Sequence, residues 1–170
     1  MLLGMAMKQP WELVAPHWNR VFLHESGHAL MAVRQGVTCY GVAYRSDKDT
    51  AFTSVPPLPT QKTDAHRLFL GAGSAAEATK YSGMSFFGAK DDRKQHGGTT
   101  AQFNQSVEGA YNILLTELET LKAIAAKIQA NFEQAGSDFK KLPQSDMRID
   151  NTVQKVGILL SADELNDITK

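Results

Sequence analysis

Apolar residues recur at helical spacing along two long stretches of the chain, and each stretch predicts a helix with one buried face. The first runs from about residue 16 to Arg34, and Gly36 marks its predicted end because glycine commonly terminates helices. The second, from Val107 to Phe132, is predicted as one long helix. Near the C-terminus, Ser161 and Glu164 have the spacing of a capping box and predict a final short helix.

A further helix is predicted from Thr63 to Lys80, and residues 71–76 within it are all small or flexible. Such a run lets two helix backbones approach closely. We expect it to pack on the first helix near Gly27, a mid-helix glycine that costs about 1 kcal/mol relative to alanine. The segments from Met84 to Lys90 and from Gly136 to Asp150 are predicted as a loop and a polar connection.

Two segments between these helices, Val37 to Tyr44 and Ala51 to Val55, are rich in valine, threonine and aromatic residues, and they predict a β-hairpin. Three prolines follow the second segment and make it an expected edge strand: Pro56, Pro57 and Pro59. An edge strand can bind an extended peptide through its backbone, although a hairpin that only caps the core is an equal alternative. The predicted fold is therefore α+β and mainly helical, in a single domain covering residues 1–170.

Composition narrows the classes of partner. The 170 residues are 42% hydrophobic, enough for one well-formed core. Eighteen basic and eighteen acidic residues leave no net charge, so nothing favours nucleic acid or an anionic membrane surface as a partner. No apolar run approaches the roughly 20 residues of a membrane span, and we expect a soluble, cytoplasmic protein.

The first predicted helix contains the sequence His-Glu-Ser-Gly-His at residues 24–28. Side chains four residues apart share a helix face, so His24 and His28 can bind one Zn²⁺ ion. Glu25 then lies beside the water that the metal activates and can serve as its general base. The motif therefore predicts a zinc hydrolase.

A catalytic zinc site usually has three protein ligands, so one more donor is required. The longer pattern HExxHxxGxxH fails because Met31 and Arg34 stand at its glycine and last histidine, which excludes a metzincin. Residue types alone leave several candidates for the third ligand: Asp64, His66, Glu77, Asp91, Asp92, His96 and Glu108. Glu77 has two further interpretations that are weighed equally: it orients a zinc-bound histidine, or it is an ordinary surface residue.

Three short segments follow one another along the chain: HESGHA at 24–29, GAGSAAEAT at 71–79 and GAKDD at 88–92. In this order and at these separations they resemble the peptidase domain of the FtsH family of ATP-dependent zinc proteases. The resemblance implies a zincin-like HExxH helix packed on further helices, with the hairpin beside the active site. It also implies Asp92 as the third zinc ligand, with Asp91 as the fallback.

The function that follows is hydrolysis of peptide bonds by a zinc metalloendopeptidase, acting on peptides or unfolded proteins. Since Met1 is only 23 residues ahead of His24, we expect no ATPase module or membrane span before the peptidase. A separate ATPase or unfoldase is then a candidate partner, and homo-oligomerisation is left open. Two alternatives retain the zinc site: a non-catalytic peptide-binding or adaptor module, and a hydrolase of non-peptide amides.

Overall fold

The computed structural model describes residues 14–81, 86–149 and 151–170 of the chain. Helices dominate it, and a small antiparallel sheet lies beside them, so the α+β class is confirmed. The elements in chain order are α1 (Val14–Arg34), β1 (Gly41–Arg45), β2 (Thr50–Ser54), α2 (Asp64–Ala78), α3 (Phe86–His96), α4 (Thr100–Leu115), α5 (Leu118–Gln134), a single 3-10 turn (Phe139–Lys141), β3 (Gln144–Ile149), β4 (Thr152–Ser161) and α6 (Ala162–Thr169).

Helices α1 and α2 pack closely, as the small residues of α2 predict. A Cβ atom on Gly27 would lie only 2.4 Å from the carbonyl oxygen of Ala72 and 2.5 Å from Cβ of Ala76. No side chain can occupy that space, so the mid-helix glycine is required by the packing. At the end of α1, Gly36 has a φ of 70° and provides the expected stop.

The core lies between α1, α2, α4, α5 and one face of the sheet. It is built from large aliphatic and aromatic side chains that are almost fully buried: Phe22, Leu30, Leu70, Leu114, Leu121, Ile124, Ile128, Leu159, Leu160 and Leu165. Burial of each such side chain contributes about 2 kcal/mol relative to leaving it in water. Packing against this core holds α1 and α2 in place, so the polar side chains that they carry have defined positions.

The predicted hairpin is confirmed as β1 and β2, which pair antiparallel with Val42 opposite Thr53. It belongs to a larger sheet whose order, among the described residues, is β2-β1-β4-β3. Strand β2 therefore lies at an edge of that sheet, as its following prolines predict, and it contacts α1. This contact brings the edge strand beside the helix that carries the HExxH motif.

The prediction of one long helix from Val107 to Phe132 is wrong, because the structure divides this region into α4 and α5. The break falls at Thr116, whose hydroxyl donates to the carbonyl oxygen of Ile113 at 2.7 Å and ends α4. The apolar spacing continues across the break because both helices bury one face against the same core. Hydrophobic periodicity alone therefore could not locate it.

Two predicted irregular segments contain regular structure. The segment 136–150 was expected to be a polar connection, but it contains the 3-10 turn and β3, a strand whose exposed and half-buried residues alternate. The segment 84–90 was expected to be a loop, but residues 86–90 form the start of α3, while 84 and 85 lie outside the described residues. Both elements direct mainly polar residues outwards, which is why their hydrophobic pattern is weak.

Membrane insertion was not expected from the sequence. Within the described parts of the chain, no helix combines the length and the apolar character that crossing a bilayer requires.

Candidate metal centre

Helix α1 carries His24, Glu25 and His28 in its buried middle turns. Their exposed fractions are 4%, 8% and 4%, although each side chain is polar. Buried polar groups require partners, and these side chains find theirs on α2, α3 and β2. The motif thus lies where several elements meet.

The three proposed ligand atoms form a nearly equilateral triangle. Nε2 of His24 lies 3.1 Å from Nε2 of His28, and Oδ2 of Asp92 lies 3.1 Å from each of them. Atoms bound at about 2.0 Å to a tetrahedral ion are separated by about 3.3 Å. The spacing of the two nitrogens and the oxygen therefore matches that of three ligands to one small cation.

Hydrogen bonds on the far side of each imidazole determine which nitrogen is available. Nδ1 of His28 lies 2.7 Å from the carbonyl oxygen of Phe69, which can only accept, so this nitrogen carries the proton. Nδ1 of His24 lies 2.6 Å from Oε1 of Glu77 and donates to that carboxylate. In the neutral form of each ring, Nε2 then has a lone pair directed at the Asp92 carboxylate, an arrangement typical of metal-bound histidines.

Glu77 is fully buried and belongs to this centre, so its alternative as a surface residue is wrong. Its second carboxylate oxygen accepts a short hydrogen bond from Nε of Arg20, one turn before His24 on α1. The guanidinium in turn lies over the ring of Tyr81. Glu77 therefore orients His24 and remains paired with a permanent positive charge.

Gly73 of α2 provides the space that the histidines occupy. A Cβ atom there would lie 2.3 Å from Nε2 of His24 and 2.5 Å from Nε2 of His28. Any side chain would therefore collide with both proposed ligand atoms. The small residues of α2 thus serve both the packing of α1 and the shape of this centre.

Glu25 contacts strand β2 through Thr53. The hydroxyl of Thr53 lies 2.7 Å from Oε2 of Glu25 and 3.0 Å from its backbone carbonyl oxygen. Burial raises the pKa of the Glu25 carboxyl above its ordinary value. The charges of His24 and His28 and the hydrogen bond from Thr53 lower this pKa, but burial has the larger effect. A carboxylate with a raised pKa is a stronger base near neutral pH.

The same ligand atoms also bind protons firmly. Burial alone would lower the pKa of His24, but hydrogen bonds with Asp92 and Glu77 raise it well above the ordinary value. Burial would raise the pKa of Asp92, but the charges and hydrogen bonds of His28 and His24 hold it well below the usual range. Protons and a cation therefore compete for these atoms, as they do at most histidine metal sites.

Among the candidates for a third ligand in the described residues, only Asp92 has an oxygen close to Nε2 of both histidines, whereas Glu77 contacts Nδ1 of His24. Asp91, the fallback, is exposed, as are Asp64 and Glu108. His96 is buried but bonds to Ser106 instead.

The sequence did not predict the roles of Arg20 and Thr53, whose partners lie 57 and 28 residues away along the chain. Arg20 does give one signal, since it lies one turn before His24 on the same helix face.

Comparisons with protein-family models, curated proteins and solved structures found no match to this chain. The resemblance to FtsH peptidases therefore remains a prediction carried by the three segments of sequence.

Proposed function

We propose that the chain is a zinc-dependent metallopeptidase in which His24, His28 and Asp92 bind the metal and Glu25 is the general base. The observation that carries the proposal is the triangle of donor atoms, in which both histidines have their Nδ1 protons engaged elsewhere. Two imidazole nitrogens and one carboxylate oxygen form a donor set suited to Zn²⁺. A buried glutamate beside this set distinguishes a hydrolytic centre from a purely structural site.

The charge of the centre also favours a divalent cation. Glu25, Glu77 and Asp92 are buried carboxylates, and the guanidinium of Arg20 pairs with Glu77. Buried negative charge of this kind is costly unless it is compensated. A doubly charged ion between His24, His28 and Asp92 would provide that compensation.

When bound, Zn²⁺ supplies a Lewis acid that lowers the pKa of water and polarises a carbonyl oxygen. Glu25 accepts the proton of the attacking water and delivers it to the nitrogen of the leaving amine. Thr53 holds one carboxylate oxygen of Glu25, so the other oxygen remains available for this proton transfer. Glu77, itself paired with Arg20, fixes the proton of the neutral His24 ring on Nδ1, which leaves Nε2 as the atom that would bind the metal.

The substrate that we propose is an extended peptide or an unfolded protein segment. Strand β2 lies at the edge of the sheet among the described residues, and its Thr53 contacts the base directly. A peptide paired with this strand would have its backbone beside Glu25. A separate ATPase or unfoldase that supplies unfolded chain is a candidate partner for such an FtsH-like centre.

The test is metal content together with hydrolysis of a fluorescently labelled unfolded protein, measured on the full chain. We expect about one Zn²⁺ per chain, activity that is lost with a chelator and restored by zinc, and a Glu25→Gln variant that keeps its zinc but loses at least about 100-fold in kcat. His28→Ala should lose both zinc and activity. Unchanged hydrolysis by Glu25→Gln would refute the role of Glu25.

The alternative is a peptide-binding or adaptor module that retains the metal. Its signature is tight binding of the same unfolded protein by the zinc-loaded chain without any cleavage. Glu25 argues against this alternative, because a binding module gains nothing from a buried carboxylate beside the ligands.

A further inference from the structure

Helix α3 directs two polar side chains into the protein. Asp92 and His96 lie one turn apart and have exposed fractions of 8% and 5%. The other side chains between residues 90 and 96 are exposed: Lys90, Asp91, Arg93, Lys94 and Gln95. The inner face of this part of α3 therefore has one residue at the metal centre and one that contacts another helix.

His96 is held by hydrogen bonds that fix its orientation. The backbone N–H of Gly98 donates to Nδ1 at 3.2 Å, so the proton of the neutral ring lies on Nε2. Nε2 lies 2.9 Å from Oγ of Ser106 on α4 and donates to it, while the Ser106 hydroxyl donates to the carbonyl oxygen of Gln102 at 3.2 Å. The imidazole also meets the ring of Phe103 edge-on, with centroids 5.5 Å apart.

Ser106 is itself held at a fixed distance from the metal centre by α2. A Cβ on Gly71 would lie 2.7 Å from the backbone carbon of Ser106, so α2 and α4 are in direct backbone contact there. Two residues later, Gly73 of the same helix abuts Nε2 of both His24 and His28. The hydrogen bond from His96 thus connects α3 to the helix pair against which the two histidines are placed.

We propose that His96 is a positioning residue of the metal centre, which binds Ser106 and thereby holds Asp92 beside His24 and His28. This inference rests on the proposed function in one respect, the identity of Asp92 as a metal ligand. His96 does not touch the metal or substrate. It acts through α3, because a shift at His96 moves Asp92 one turn away on the same rigid helix.

The experiment measures the dissociation constant for Zn²⁺ by competition with a chromophoric chelator, on the full chain. Ser106→Ala and His96→Phe remove the hydrogen bond, and the phenyl ring keeps the packing on Phe103. We expect each variant to bind zinc about tenfold more weakly. This is the lower end of the range of affinity losses that is usual for residues that support the metal ligands. His96→Gln places an amide donor near the position of Nε2 and should recover part of the loss.

Two comparisons separate positioning from a general loss of stability. Ser161→Ala removes a serine that caps α6, where its Oγ accepts from the N–H of Glu164 at 3.1 Å, and should leave zinc affinity unchanged. In an Asp92→Ala background, Ser106→Ala should no longer alter zinc affinity, because the residue on which His96 acts is gone. An equal loss with and without Asp92, or wild-type affinity in Ser106→Ala, would overturn the proposal.

Hydrogen exchange of α3 amides in the metal-free protein distinguishes failure of this proposal from failure of the proposed function. A wild-type chain that binds no zinc would refute the metallopeptidase. Faster exchange across α3 in Ser106→Ala than in wild type would still support the role of His96. Equal exchange in the two proteins would refute that role whether or not zinc binds.

Discussion

The hydroxyl of Thr53 lies 2.7 Å from Oε2 of Glu25, so the edge strand β2 is connected directly to the buried carboxylate of the HExxH motif. Thr53 pairs with Val42 across the hairpin, and its backbone is fixed by the sheet. The orientation of Glu25 is therefore set by β2 as well as by α1. A peptide bound along β2 would lie on the same strand that holds the proposed base.

Removal of the Thr53 hydroxyl should lower turnover without releasing zinc. Thr53→Val keeps the shape of the side chain but loses the hydrogen bond to a charged group, which is worth about 1.5–3 kcal/mol. We expect kcat to fall about tenfold or more, with KM and zinc content little changed. Thr53→Ser retains the hydroxyl and serves as the matched control. Equal activity of the valine and serine variants would contradict this role.

Neutralising Asp92 should weaken zinc binding, whereas neutralising its neighbour should not. Asp92 lies 3.1 Å from both Nε2 atoms and is 8% exposed, but the Asp91 side chain faces solvent. We expect Asp92→Asn to lose at least about 100-fold in zinc affinity, because an amide oxygen lacks the charge of a carboxylate. Asp91→Asn should retain wild-type affinity. Full metal content in both variants would show that the third ligand lies elsewhere.

A methyl group on Gly73 should disrupt the proposed metal centre. Its Cβ would fall 2.3 Å from Nε2 of His24, and relief of that overlap must displace the imidazole or separate the helices. Overpacking of this kind costs about 1–3 kcal/mol, and we expect Gly73→Ala to lose zinc binding as well as stability. Calorimetric unfolding and zinc titration would measure the two losses separately.

Gly109→Ala is the matched control for Gly73→Ala. On α4, the added methyl group would meet only Cδ2 of Leu68 at 3.1 Å, a flexible side-chain end that can move. Because alanine is favoured over glycine inside helices by about 1 kcal/mol, this variant should keep zinc affinity and most of its stability. Loss of zinc in both variants would show that the effect does not come from the space beside the histidines.

Local signals in the sequence were sufficient to predict the end of one helix and the start of another. The apolar period and Gly36 gave the end of α1, and the spacing of Ser161 and Glu164 gave the capping box of α6, which the structure confirms. Each of these features involves residues within one or two turns of each other. Hydrophobic period and capping chemistry therefore predicted them without knowledge of the tertiary structure.

Elements and contacts that depend on distant partners were not predictable in this way. The inward residues Asp92 and His96 are polar, so α3 has no apolar period, and its partners on α1 and α4 emerge only in the folded chain. The proposed third ligand was likewise one of seven possibilities on residue type, and the choice of Asp92 came from the resemblance alone. Arg20 and Thr53 are ordinary polar residues until the fold brings Glu77 and Glu25 to them.

Protonation of His96 should destabilise the metal-free protein at mildly acidic pH. Burial, with the charges of Arg67 and Lys62, lowers the pKa of His96 below its ordinary value of 6.5. In the unfolded chain the ordinary pKa applies, so the unfolded state binds this proton first as the pH falls. The contribution to stability is complete above about pH 6.5 and is lost as the pH drops towards the lower pKa of the folded state.

Comparison of wild type with His96→Gln isolates this contribution, because the other histidines are common to both proteins. We expect the free energy of unfolding, measured by urea titration with a chelator present, to fall more steeply for wild type between about pH 7.5 and pH 5.5. The protonated ring would place an N–H on Nδ1 against the N–H of Gly98, which the glutamine variant avoids. Parallel pH profiles for the two proteins would contradict the assignment of the neutral imidazole at this position.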